Sequence, residues 1–110
     1  QWPEAEGYFR KALDIKIEFN DHHGQAGTHH QLGMIAEEQG KPAEALATYL
    51  KALAIFHEYE DAHRAGICLV SLTRLHGAHP ELAIPKRVAE TLGLPPDQIE
   101  ALFKQEEDTP

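Results

Sequence analysis

Phe9-Arg10-Lys11-Ala12-Leu13-Asp14-Ile15 returns forty residues later as Tyr49-Leu50-Lys51-Ala52-Leu53-Ala54-Ile55. Residues 4–23 laid over 44–63 share nine identities: Glu4/Glu44, Ala5/Ala45, Lys11/Lys51, Ala12/Ala52, Leu13/Leu53, Ile15/Ile55, Glu18/Glu58, Asp21/Asp61 and His23/His63. Ordinary composition supplies roughly one or two matches over such a length. Phe9/Tyr49 and Phe19/Tyr59 exchange aromatic for aromatic, and Leu32/Leu72 carries the correspondence downstream. Apolar residues inside each copy recur at helical spacing. A helical unit repeated near forty residues predicts an all-α solenoid, in which each helix pair buries its apolar face against its neighbours.

Element boundaries follow from punctuation. Trp2-Pro3-Glu4 opens a helix over 2–19, with Pro near its first position and acids in its first turn. This segment corresponds to the second helix of a unit, so the face that a first helix would cover is open. Asn20 to Gly24 reads as a turn by composition. A helix over 25–39 follows, with Ala26, Leu32, Gly33 and Ala36 inward. Gly40-Lys41-Pro42 stops it and starts the next, over 42–59, where Leu46, Leu50 and Phe56 enrich the shared stripe. Asp61 caps a fourth helix running to about His76 through Ile67, Leu69, Leu72 and Leu75. From Gly77 the periodicity changes. A turn, a short helix over 85–92 closed by Gly93, and a last helix from Pro95-Pro96-Asp97 through Ile99, Leu102 and Phe103 end in the acidic tail Glu106-Glu107-Asp108.

These residues resemble the tetratricopeptide repeat family, in a long-loop form found in bacterial multidomain signalling and regulatory proteins. Leu32-Gly33 with Ala36 matches the family's first-helix pattern. Ala45, Tyr49 and Ala52 match its second-helix pattern, as do Ala5, Phe9 and Ala12. His29 stands where a large residue is usual, and Thr73-Arg74 where Gly is expected. The resemblance covers residues 2 to about 77. It implies repeats over 1–77, comprising the second helix of one unit, one complete unit and the first helix of the next, with 78–110 as a helical cap. It also implies a non-catalytic protein-interaction module whose concave face is lined by first helices. By correspondence that face carries Gly27, His30, Met34, Glu37 and Glu38, then Ile67, Val70, Arg74 and Gly77. His30, Met34, Glu37, Ile67, Val70 and Arg74 are the partner-binding candidates, suited to an amphipathic helix or an extended, partly basic peptide. The Lys/Asn/Arg clamp with which some members hold a C-terminal carboxylate has only Arg74 here.

Composition narrows the alternatives. With 10 Lys and Arg against 18 Asp and Glu, the formal charge is −8, which opposes nucleic-acid binding built on cations at phosphates. No apolar run approaches the roughly 18 residues that span a bilayer, and no basic-then-apolar leader opens the chain, so no membrane association and a cytoplasmic location are expected. A single cysteine, Cys68, permits no internal disulfide. It lies in the apolar run 67–72 and reads as a core residue, and Ser71 has no evident base in the sequence, so no catalytic residue is assigned.

Eight histidines are the other conspicuous feature: His22, His23, His29, His30, His57, His63, His76 and His79. Adjacent pairs point about 100° apart on a helix, and His23 and His30 lie roughly 10 Å apart along one, so no tetrahedral metal site follows and no cofactor is expected. A histidine-mediated metal site remains a rival reading. Self-association through the open first helix is another, giving a homodimer. Full protonation of the eight imidazoles would cancel the formal charge of −8, so a solubility minimum is expected near the sequence pI of 5.4.

Overall fold

The computed structural model describes residues 2–18 and 21–107, with the side chains of Glu18 and of residues 104–107 left aside. Phe19 and Asp108 therefore lie outside the described residues. Among the described residues six α-helices follow one another: α1 (Trp2–Glu18), α2 (His22–Glu38), α3 (Pro42–Glu58), α4 (Ala62–Ala78), α5 (Ile84–Leu92) and α6 (Pro96–Glu107), with a 3-10 turn at Pro80–Leu82. No strand occurs among the described residues. Consecutive helices pack on one another, and α5 lies against both α3 and α4, with α6 against α5 and α4. The architecture is an all-α helical-repeat solenoid.

The turn expected at 20–24 is shorter in the structure, because α2 begins at His22. Asp21 is its N-cap, its carboxylate accepting from Gly24 N–H at 2.9 Å. Asp61 does the same for α4, accepting from Arg64 N–H at 3.2 Å. The two caps share φ −87° and differ by 2° in ψ, 75° against 77°. The Asp21/Asp61 identity was thus a helix-start signal in both copies. Capping carboxylates satisfy amide donors that the helix leaves open, and that outweighed the loop-like composition of Asn-Asp-His-His-Gly. At its other end α4 runs through Gly77 to Ala78.

The chain reverses between α2 and α3 at Gly40, with φ 75°, and between α3 and α4 at Glu60, with φ 55°. α3 is the central element. Ala45, Leu46, Tyr49, Leu50, Ala52, Leu53, Ile55 and Phe56 are all buried, against α2 on one flank and α4 and α5 on the other. Cys68, Leu72, Leu75, Ile84, Val88, Ile99 and Phe103 extend the same core through α4, α5 and α6. α1 carries the same stripe with one flank uncovered. Ile15 is 55% exposed where its repeat mate Ile55 is 7%, and Phe9 is half-buried where Tyr49 is fully buried. α3 has a first helix, α2, on that side, whereas α1 packs principally on α2, the first helix of the next unit.

Candidate interaction surface

α2 and α4 are the two first-type helices, and their facing sides meet over Tyr49 of α3. Tyr49 reaches that seam because residue 33 is glycine: a Cβ there would lie 2.6 Å from Tyr49 Cδ1 and Cε1. The Leu32-Gly33 pair is therefore a packing device, giving the ring a place against the α2 backbone. The Tyr49 hydroxyl then donates to Glu37 Oε1 at 2.7 Å. Arg74 grips the same carboxylate with two donors along one edge of its guanidinium, Nη2 to Oε1 at 2.9 Å and Nε to Oε2 at 3.2 Å. Three elements are joined at one carboxylate. The Arg74 hydrogen bonds come first in holding Glu37 below the usual carboxylate range, with the Tyr49 bond assisting against partial burial. Burial, and then the Glu37 bond, push the Tyr49 phenol up, so it remains a donor.

Two turns towards the start of α2, His30 Nε2 meets Ser71 Oγ at 2.9 Å, and its ring packs 5.4 Å from that of Tyr49. Desolvation first, and then the charge of Arg74, lower the His30 pKa, so the imidazole stays neutral. Sequence reading found no base for Ser71, because the partner stands 41 residues away. The pair has a nucleophile–base distance, yet Ser71 is only 5% exposed and belongs to the helix core. Among the described residues the charged neighbour that bears on the imidazole is Arg74, and no acid orients it from behind. The arrangement fastens α2 to α4. Cys68 is fully buried and its thiol is pushed up to about 12 by that burial, so it is no thiolate at neutral pH.

The six candidate residues divide into two kinds. His30, Glu37 and Arg74 spend their polar atoms across the α2–α4 seam. Met34, Ile67 and Val70 are 39%, 45% and 61% exposed and touch water. Met34, Glu37, Glu38 and Arg74 border one depression on this face. An apolar groove lies between α4 and α6, lined by Gly66, Leu69, Val70, Thr73, Ile99, Leu102 and Phe103. Sequence reading placed Ile99, Leu102 and Phe103 in a cap and missed their part in this groove. Their helical spacing marked an apolar face, but nothing in it named α4 as the neighbour.

The histidines are dispersed to different partners. His22 Nδ1 faces Glu58 at 3.5 Å, and His79 Nδ1 faces Glu81 at 3.4 Å, ion pairs only when the imidazole is protonated. His23 lies 3.1 Å from Asp61 and stacks on Tyr59 at 4.7 Å. Among the described residues no three His, Cys, Asp or Glu side chains converge as metal ligands. No helix among them is long and apolar enough to cross a membrane.

Comparison with known families matches the tetratricopeptide repeat over residues 1–58. No curated protein and no solved structure matches the chain. The matched stretch holds α1, α2 and α3, and so includes both copies of the repeated helix and the Gly33–Tyr49 contact. Repeats of this kind are generally non-catalytic protein-interaction modules. On the match over more than half its length, and on helices that stack as the repeat requires, the chain belongs to the tetratricopeptide repeat family.

Proposed function

We propose that the chain is a non-catalytic binding module that receives a peptide or helix of a partner protein on the surface formed by α2 and α4. The observation that carries this reading is the division of the seam. A part-buried His30–Ser71 bond and an exposed Glu37–Arg74 ion pair tie the two helices together, while Met34, Ile67 and Val70 are left apolar and open beside them. Exposed apolar side chains on a rigid polar frame are what a non-obligate interface uses, with the methionine adapting to the ligand's shape. In this reading Met34, Ile67 and Val70 make contact, and His30, Glu37 and Arg74 preorganise the surface. In the same reading residues 1–77 carry the repeats, as the second helix of one unit, one complete unit and the first helix of the next, and 78–110 form the cap.

The test compares the wild-type chain with a Met34→Glu/Ile67→Glu variant as immobilised baits. Both positions are exposed, so the double variant is expected to keep its helical circular dichroism and to lose partners captured by the wild type. Partners retained at undiminished yield would refute the assignment of the surface. Arg74→Glu is the wrong probe, since it would set a second acid against Glu37 and disturb the Tyr49 anchorage.

A second reading rests on α1, where Trp2, Tyr8, Ile15 and Ile17 are 43%, 69%, 55% and 55% exposed. Pairing of that face with a second copy would bury them. Sedimentation velocity distinguishes the two: a dimer abolished by Tyr8→Glu favours self-association, and a monomer at every concentration excludes it.

A further inference from the structure

We propose that the groove between α4 and α6 is the anchor subsite of the binding face, taking one bulky aliphatic or aromatic side chain of a partner peptide whose neighbouring Lys or Arg faces Glu38. The inference rests on the reading that the α2–α4 surface binds a peptide. Val70 and Leu102 form the lips of the groove at 61% and 48% exposure, while Ile99 and Phe103 form its buried wall. Gly66 leaves its floor open, because a Cβ there would meet nothing within 4 Å. The Thr73 hydroxyl, also in the lining, donates to Leu69 O at 2.8 Å, so that donor is spent within the helix. The cavity of about 210 Å³ is on the scale of one large side chain rather than of a docking helix.

Charge and continuity supply the rest of the ligand. Val70 and Arg74 lie one turn apart on α4, about 6 Å along its axis. The Val70 lip of the groove thus stands one turn of α4 from Arg74, which borders the separate depression formed with Met34, Glu37 and Glu38. Arg74 and Glu37 neutralise each other there, which leaves exposed Glu38 as the unbalanced charge. The whole chain is acidic, at −8, so a cationic ligand is favoured and a second copy of the same chain is not. The step of about 6 Å from Val70 to Arg74, whose depression Glu38 shares, corresponds to two positions of an extended peptide at about 3.3 Å per residue, or to one turn of a helix. α6 thus completes the binding surface as well as ending the stack.

The test is selection from a displayed random dodecapeptide library on the immobilised chain, followed by fluorescence polarisation with the enriched peptides. The expected consensus is one bulky apolar residue with Lys or Arg two to four positions away. Val70→Asp and Leu102→Asp should each weaken binding at least tenfold, and Glu38→Lys should abolish the preference for the basic residue. Circular dichroism checks each variant, and Val70→Asp alone decides the matter if Leu102→Asp unfolds. Peptides insensitive to Val70→Asp but lost with Met34→Glu would overturn the anchor while leaving the binding face standing. No enrichment, or indifference to all of these variants, would overturn both. Self-association removed by Val70→Asp would show a second copy in the groove and would overturn the peptide ligand.

Discussion

A single methyl group at residue 33 separates two kinds of glycine in this chain. Ala would place Cβ 2.6 Å from two carbons of the Tyr49 ring, and the ring is held in turn by the buried core and by Glu37. At Gly27 the same methyl meets nothing within 4 Å. Gly33→Ala is therefore expected to destabilise the fold by about 1–3 kcal/mol through overpacking, despite the better helix propensity of Ala. Gly27→Ala should stabilise it by roughly 0.5–1 kcal/mol, because only backbone entropy is at stake. Urea unfolding midpoints of the two variants check both signs, and a stabilised Gly33→Ala would mean that the α2–α3 approach is looser than described. The importance of Leu32-Gly33 was legible in the sequence by resemblance. Its cause was not, since the ring it accommodates sits on another helix.

Between elements, the seam joining α2 and α4 makes stability depend on pH. The His30 pKa is lowered by burial first and by Arg74 second, and His29 is lowered by burial, by Lys51 and by His22. Below the ordinary imidazole value of about 6.5 the unfolded chain takes up protons that the folded chain resists. Stability present at neutral pH is thus lost as the pH falls below that value and through the folded pKa values. Glu37, lowered chiefly by Arg74, adds a loss at more acid pH, beginning below about 4.5. Melting temperatures measured between pH 7.5 and 5 should decline, and His30→Gln, which does not titrate in that range, should flatten that slope. An unchanged slope would place the titration elsewhere. Sequence reading identified His30, Glu37 and Arg74 as one face but not as one network. Glu37 and Arg74 are 37 residues apart, and only the stacking of α2 beside α4 joins them.

For the molecule as a whole, the formal charge of −8 and the sequence pI of 5.4 count every group at its ordinary value. Four lowered groups move the native protein off that count in one direction. His29 and His30 hold less positive charge near pH 6, and Glu37 and Asp61 keep negative charge to lower pH. Native isoelectric focusing should accordingly band below the position found in urea, with the solubility minimum following the native value. Coincident bands would show that folding leaves these groups unperturbed. At this scale the forty-residue recurrence determined the helical class, the order of helices and the identity of the buried stripe, because helix period and hydrophobic pattern are local properties of the chain. Asp21 as a cap was there to be read as well, from its match to Asp61. Tertiary structure alone decided that Arg74 is spent on Glu37, that Ser71 meets His30, and that α6 turns Leu102 towards Val70. Each of those pairings brings together residues more than thirty positions apart, and no local pattern carries the distance between them.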